Sequence, residues 1–224
     1  MKANLHFRYW ILPLLVLTPL LIMYFSGVHW AKELVCPSVN REFGIVENIQ
    51  LLILLLIIIY SVIAVKKKKY IIEKIAFIFL TIISIFIFLE EIDYGLHYVK
   101  YFTGQTHSLF LSLSGRSNVH NIGNTATKMK HVIYPFMGLL FVVAPLIKGK
   151  IKSKFFQYII PHKGIILTAF LTILAHFVPK FLVNWNIFDD GGFGINLVEF
   201  SETMIYYVFF VYLYELIFEK KLQI

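Results

Sequence analysis

Residues 47–69 read ENIQLLILLLIIIYSVIAVKKKK. Between Leu51 and Val65 there is no charged side chain, and Lys66 to Lys69 close the run at once. Crossing about 30 Å of hydrocarbon takes roughly 20 apolar residues in a helix. Backbone polar groups in lipid must be paired within their own segment, so the run cannot be an isolated strand. It therefore predicts a transmembrane helix over 47–65. Five other runs satisfy the same rule, over 9–26, 70–92, 132–147, 164–183 and 198–218, with an outer loop over 93–131. The expected fold is all-α: one polytopic membrane helical bundle of about six spans filling residues 1–224.

Composition agrees. The chain is 58% hydrophobic and only 15% charged, whereas soluble domains carry about a quarter charged residues. A net charge of +8 would suit nucleic acid, but the lysines stand in short blocks beside apolar runs, where membrane topology needs them. Nucleic acid is excluded as a partner on that ground, and the bilayer is the expected one. Cys36 is the only cysteine, which rules out an intrachain disulfide. The first apolar run lacks an A-x-A-like cleavage site and reads as a retained helix.

Lysine and arginine set orientation. With both termini in the cytoplasm, Lys2, Arg8, Lys66 to Lys69, Lys74, Lys148, Lys150, Lys152, Lys154, Lys163, Lys220 and Lys221 all fall inside. The acidic residues fall mostly on the other side, and several stand at helix ends rather than in mid-loop. Glu47 opens the second span, Glu90 and Glu91 close the third, and Glu199 and Glu202 open the sixth. If the third helix continues past Asp93, then Glu90, Tyr94 and His97 share a face, with Glu91 about 100° away. Glu47 and Gln50 share a face of the second helix. His107, His120 and His131 lie in the long loop, and His176 in the fifth span.

Two readings of these groups stay open. In one, Glu90, Glu91, His120 and Glu47 are catalytic, and Glu90, His97, His120, Glu199 and Glu202 hold a divalent metal such as zinc, whose bound water is the nucleophile. In the other, the carboxylates merely cap helices. Capping suits Glu47, Glu199 and Glu202, which sit at N-terminal ends where the macrodipole favours anions. It does not suit Glu90 and Glu91, at a C-terminal end where the dipole disfavours them.

Three motifs resemble those of an uncharacterised family of small bacterial multi-pass membrane proteins. Arg41-Glu42-Phe43-Gly44-Ile45-Val46-Glu47-Asn48-Ile49-Gln50 resembles an R-E-D-G-x-x-E-x-x-Q opening. Glu90-Glu91-Ile92-Asp93-Tyr94-Gly95 resembles E-E-I-S-W-G, and Asn118-Val119-His120-Asn121 resembles N-L-H-N. Asp93 and Tyr94 stand where the family has Ser and Trp, and Leu96 where it tends to have Gln. The resemblance implies that Glu90, Glu91 and His120 belong to one site, and that the membrane is the bacterial inner one. It implies no activity.

Three functions follow as expectations. The first is an outer-face enzyme, metal-dependent, acting on a lipid or lipid-linked substrate. The second is a non-catalytic partner, assembly factor or immunity protein that uses the 93–131 loop. The third is a proton- or cation-coupled transporter, for which the inner halves of the spans offer only Glu73 and Glu215.

Overall fold

A computed structural model describes residues 7–38, 43–104, 125–187 and 193–222. Every regular element among them is helical. Six helical stretches are long and apolar enough to cross a membrane: Phe7–Phe25, Ile45–Lys67, Ile71–Glu91, His131–Lys150, Lys163–Asn184 and Asn196–Glu219. The chain is thus an all-α multi-pass membrane protein. The bounds fall close to those expected, because charged residues close the second, third, fourth and sixth runs in sequence and structure alike.

The fourth stretch departs most from a plain span. Its helix begins before the expected start, at Thr125–Met137 with Pro135 inside, passes through a π-helical segment at Gly138–Val143 and ends in a tight turn at Lys148–Lys150. Proline has no N–H for the ladder and crowds the preceding turn, so Pro135 and Pro145 interrupt regular α-geometry on either side of that segment. The 93–131 segment is also more than loop, since Leu96–Thr103 is a helix.

The chain forms two compact units. The first comprises residues 1–53 and 136–224. In it the sixth span packs along the fifth. Phe141 sets its ring edge-on to Phe209 and to Tyr212 of the sixth span. A short helix, His29–Val35, follows the first span, and its end packs with Leu20, Tyr24, Val46 and Phe200 in a buried cluster that includes Cys36. Polar ties hold the same unit: Asn196 donates to the Tyr24 hydroxyl at 2.7 Å, both buried.

The second unit, residues 54–135, contains the helix Ile71–Glu91. The Thr81 hydroxyl in mid-span is accounted for locally, because it donates to the Phe77 carbonyl at 2.7 Å, a bond that spares it an unpaired state in lipid. Lys68 and Glu73 form a buried ion pair, 3.4 Å apart, at the start of this helix. Ile71, Phe79 and Ile82 are more than half exposed, a surface that suits acyl chains and not water.

Candidate functional site

The third span ends close to its expected bound, and the regular continuation past Asp93 on which a shared face of Glu90, Tyr94 and His97 depended does not form. The helix ends at Glu91, and Asp93, Tyr94 and Gly95 all take the left-handed conformation, with φ of 51°, 52° and 83°. The Gly95 N–H then returns to the Ile92 carbonyl at 2.7 Å. Glycine adopts such a φ freely, which accounts for Gly95. Asp93 and Tyr94 do so at a cost; it is about 1 kcal/mol or more for a residue with a bulky side chain.

The turn nonetheless delivers part of the expected geometry. The Tyr94 hydroxyl donates to Glu90 Oε1, and Glu90 is buried. A regular helix would bring these side chains together at i and i+4; here the strained turn does so. Desolvation pushes the Tyr94 phenol up to about 12, with the bond to Glu90 and the negative charges of Glu90 and Asp93 acting in the same direction. Glu91 is half-buried beside it.

The other acidic helix ends lie in the first unit, and here the second and sixth spans meet. Gln50 is fully buried, and its amide donates to the Glu199 carbonyl at 3.1 Å. Thr203 donates to that carbonyl as well, at 3.0 Å. The turn bearing Glu47 and Gln50 therefore packs on the turn bearing Glu199 and Glu202, and all three glutamates are half-buried. Gln50 Oε1 is buried, and no hydrogen-bond partner reaches it among the described residues.

Of the histidines, His107 and His120 lie outside the described residues, as does the side chain of His97. His131 is exposed. His176 is buried and meets Lys180 on its own helix, Nε2 to Nζ 2.9 Å. Among the described residues no three His, Cys, Asp or Glu side chains come together in a way that could hold a metal ion.

Sequence reasoning missed a second cluster, at the opposite ends of the first and sixth spans. Arg8 grips Glu219 with both terminal nitrogens, at 2.5 and 2.6 Å, in the bidentate geometry that makes arginine pairs strong. One turn further in, buried Glu215 accepts from three donors. They are the Tyr9 hydroxyl at 3.2 Å, the His162 backbone N–H at 3.0 Å and the Lys220 ammonium at 2.8 Å. Tyr9 stacks on the His162 ring, 5.5 Å between centroids. Thr168 and Tyr207 donate to the carbonyls of Tyr9 and Arg8. The start of the first span is thereby clasped to the end of the sixth, so both lie at one end of the unit. A carboxylate in the otherwise apolar run 208–218 was the one available signal, and nothing in its spacing named Arg8 or Tyr9.

Comparison with protein-family models, curated proteins and solved structures finds no match for the chain.

Proposed function

We propose that this protein is a membrane-embedded enzyme acting on a lipid or lipid-linked substrate at the face opposite its lysine blocks. In this reading Glu90 is the proton-transfer group and Tyr94 holds it. The termini lie in the cytoplasm and the site opens outward at the inner membrane of a bacterium. The assignment to the family whose motifs the chain resembles belongs to the same proposal.

One observation carries the reading. Glu90 is buried at the C-terminal end of a helix, with two non-glycine left-handed residues used to seat a tyrosine hydroxyl upon it. The macrodipole disfavours an anion there, and ionisable groups within spans are costly and mark functional positions. Helix capping, which can explain Glu47, Glu199 and Glu202, cannot explain this arrangement. Strain of this kind persists where surrounding structure enforces it, and it gathers at active sites. A phenol–carboxylate pair at interfacial depth can exchange a proton with a hydroxyl or phosphoester of a lipid headgroup.

The test is lipid mass spectrometry on cells lacking the gene, complemented with wild type, Glu90→Gln or Tyr94→Phe. Deletion should change at least one lipid class, and wild type should restore it. Glu90→Gln should fail to restore it while reaching the membrane at normal levels. A deletion strain with unaltered lipids, or full rescue by Glu90→Gln, overturns the proposal.

A further inference from the structure

The segment between the fourth and fifth spans is anchored along one side and basic along the other. On the anchored side, the Ile160 carbonyl accepts from Lys148 at 3.2 Å and from Lys220 at 2.5 Å. The Ile159 carbonyl accepts from Tyr212 at 2.6 Å, and the His162 N–H reaches Glu215. Gln157 folds back to the Ile151 carbonyl at 2.6 Å. The segment is therefore a held strap across the end of the sixth span.

The other side carries Lys150, Lys152 and Lys154, all exposed, followed on the short helix Lys154–Ile159 by Phe155 and Phe156, 43% and 57% exposed. No acidic residue occurs between positions 148 and 163. The two glutamates at this end of the unit are already engaged, Glu219 by Arg8 and Glu215 by Lys220. No ion pair among the described residues reaches Lys150, Lys152 or Lys154. Behind them Lys148 and Lys220 share one carbonyl; burial holds the Lys220 ammonium below its ordinary range, and Lys148 adds to that effect.

We infer that this strap is a docking face for the headgroups of anionic phospholipids. It runs from the end of one span to the start of the next, so it lies at headgroup level. Its three free ammonium groups meet lipid phosphates while Phe155 and Phe156 enter the acyl boundary beneath them. The partner is a lipid and not a soluble anion because the exposed rings adjoin the lysines. A phosphate alone would leave those rings in water. The inference is independent of the proposed enzyme site, whose residues belong to the other unit.

The full chain, purified in a neutral detergent, would be titrated with phosphatidylglycerol or phosphatidylcholine of identical acyl chains, and bound lipid counted by native mass spectrometry. The wild type should retain phosphatidylglycerol preferentially. K150Q/K152Q/K154Q removes only exposed charges, and should lose at least tenfold of that preference. Each lysine near an anionic surface is worth about fivefold in binding, reduced by salt. Equal retention of the two lipids by wild type overturns the inference, as does an unchanged preference in the triple variant. Displacement of phosphatidylglycerol by an equal concentration of inorganic phosphate would show a simple anion site and overturn it too.

Discussion

Replacing Glu215 by alanine removes the acceptor on which three donors converge. The magnitude follows from what each donor loses. Tyr9 and His162 N–H give up neutral hydrogen bonds at 3.2 and 3.0 Å, and Lys220 gives up an ion pair at 2.8 Å. Polar bonds between membrane helices average about 0.6 kcal/mol, so three set a floor near 2 kcal/mol. Breaking a buried ion pair costs about 3–5 kcal/mol in soluble proteins. Lys220 keeps the Ile160 carbonyl and some solvent, which places Glu215→Ala nearer 3 kcal/mol, or about 6–12 °C in melting temperature for a chain of this size. Cys36 is the only cysteine, and it is buried in the same unit. A thiol-reactive fluorogenic dye therefore reports melting of that unit from one site. Glu215→Gln, which keeps an acceptor but no charge, should fall between wild type and Glu215→Ala. The double variant Glu215→Ala/Lys220→Met should be more stable than the sum of its parts by about 1 kcal/mol or more. If Glu215→Ala melted within 2 °C of wild type, by the same conversion of about 2–4 °C per kcal/mol, the clasp would contribute nothing to stability. Strict additivity in the double variant would refute the ion pair.

Two further outcomes test the surroundings. At Gly164 a Cβ would stand 2.7 Å from the Tyr9 ring and 3.2 Å from His162 Nδ1, and Tyr9 is 1% exposed with little room to move. Gly164→Ala should therefore lower stability by about 1–3 kcal/mol in the same thiol assay, and an unchanged melt would place the Tyr9 ring elsewhere. Spectrophotometric titration should show that Tyr94→Phe removes a phenol ionising at about 12 and not near the ordinary value of about 10. Because the folded-state value is the higher one, the stability tied to this group is complete below the ordinary value and is lost as pH rises towards 12. Removal of a phenol titrating at the ordinary value would mean that Glu90 and Tyr94 are apart.

The six spans were legible because a single physical demand, enough uncharged residues to cross hydrocarbon, writes itself contiguously into the chain. Glu47, Gln50, Glu199 and Glu202 were legible as helix-end polar groups, but only the structure brings two of those ends together, through the bond from Gln50 to the Glu199 carbonyl. The end of the third span was legible, but the left-handed turn that follows it was not. Asp93 and Tyr94 are compatible with helix, and only Gly95 signals a left-handed turn, one that two non-glycine residues join. The clasp was invisible for a different reason. Arg8 and Glu219 are 211 positions apart, and no local period encodes a partner at that distance.

The clasp also orders events in time. Arg8 and Tyr9 are made before Glu215, Lys220 and Glu219. At about 5–20 residues per second, an interval of 211 residues takes roughly 10–40 s. Throughout that time the first span waits in the bilayer with a guanidinium and a phenol whose carboxylate partners do not yet exist. A chain that stalls before Glu215 never acquires them, and its first helix stays unclasped.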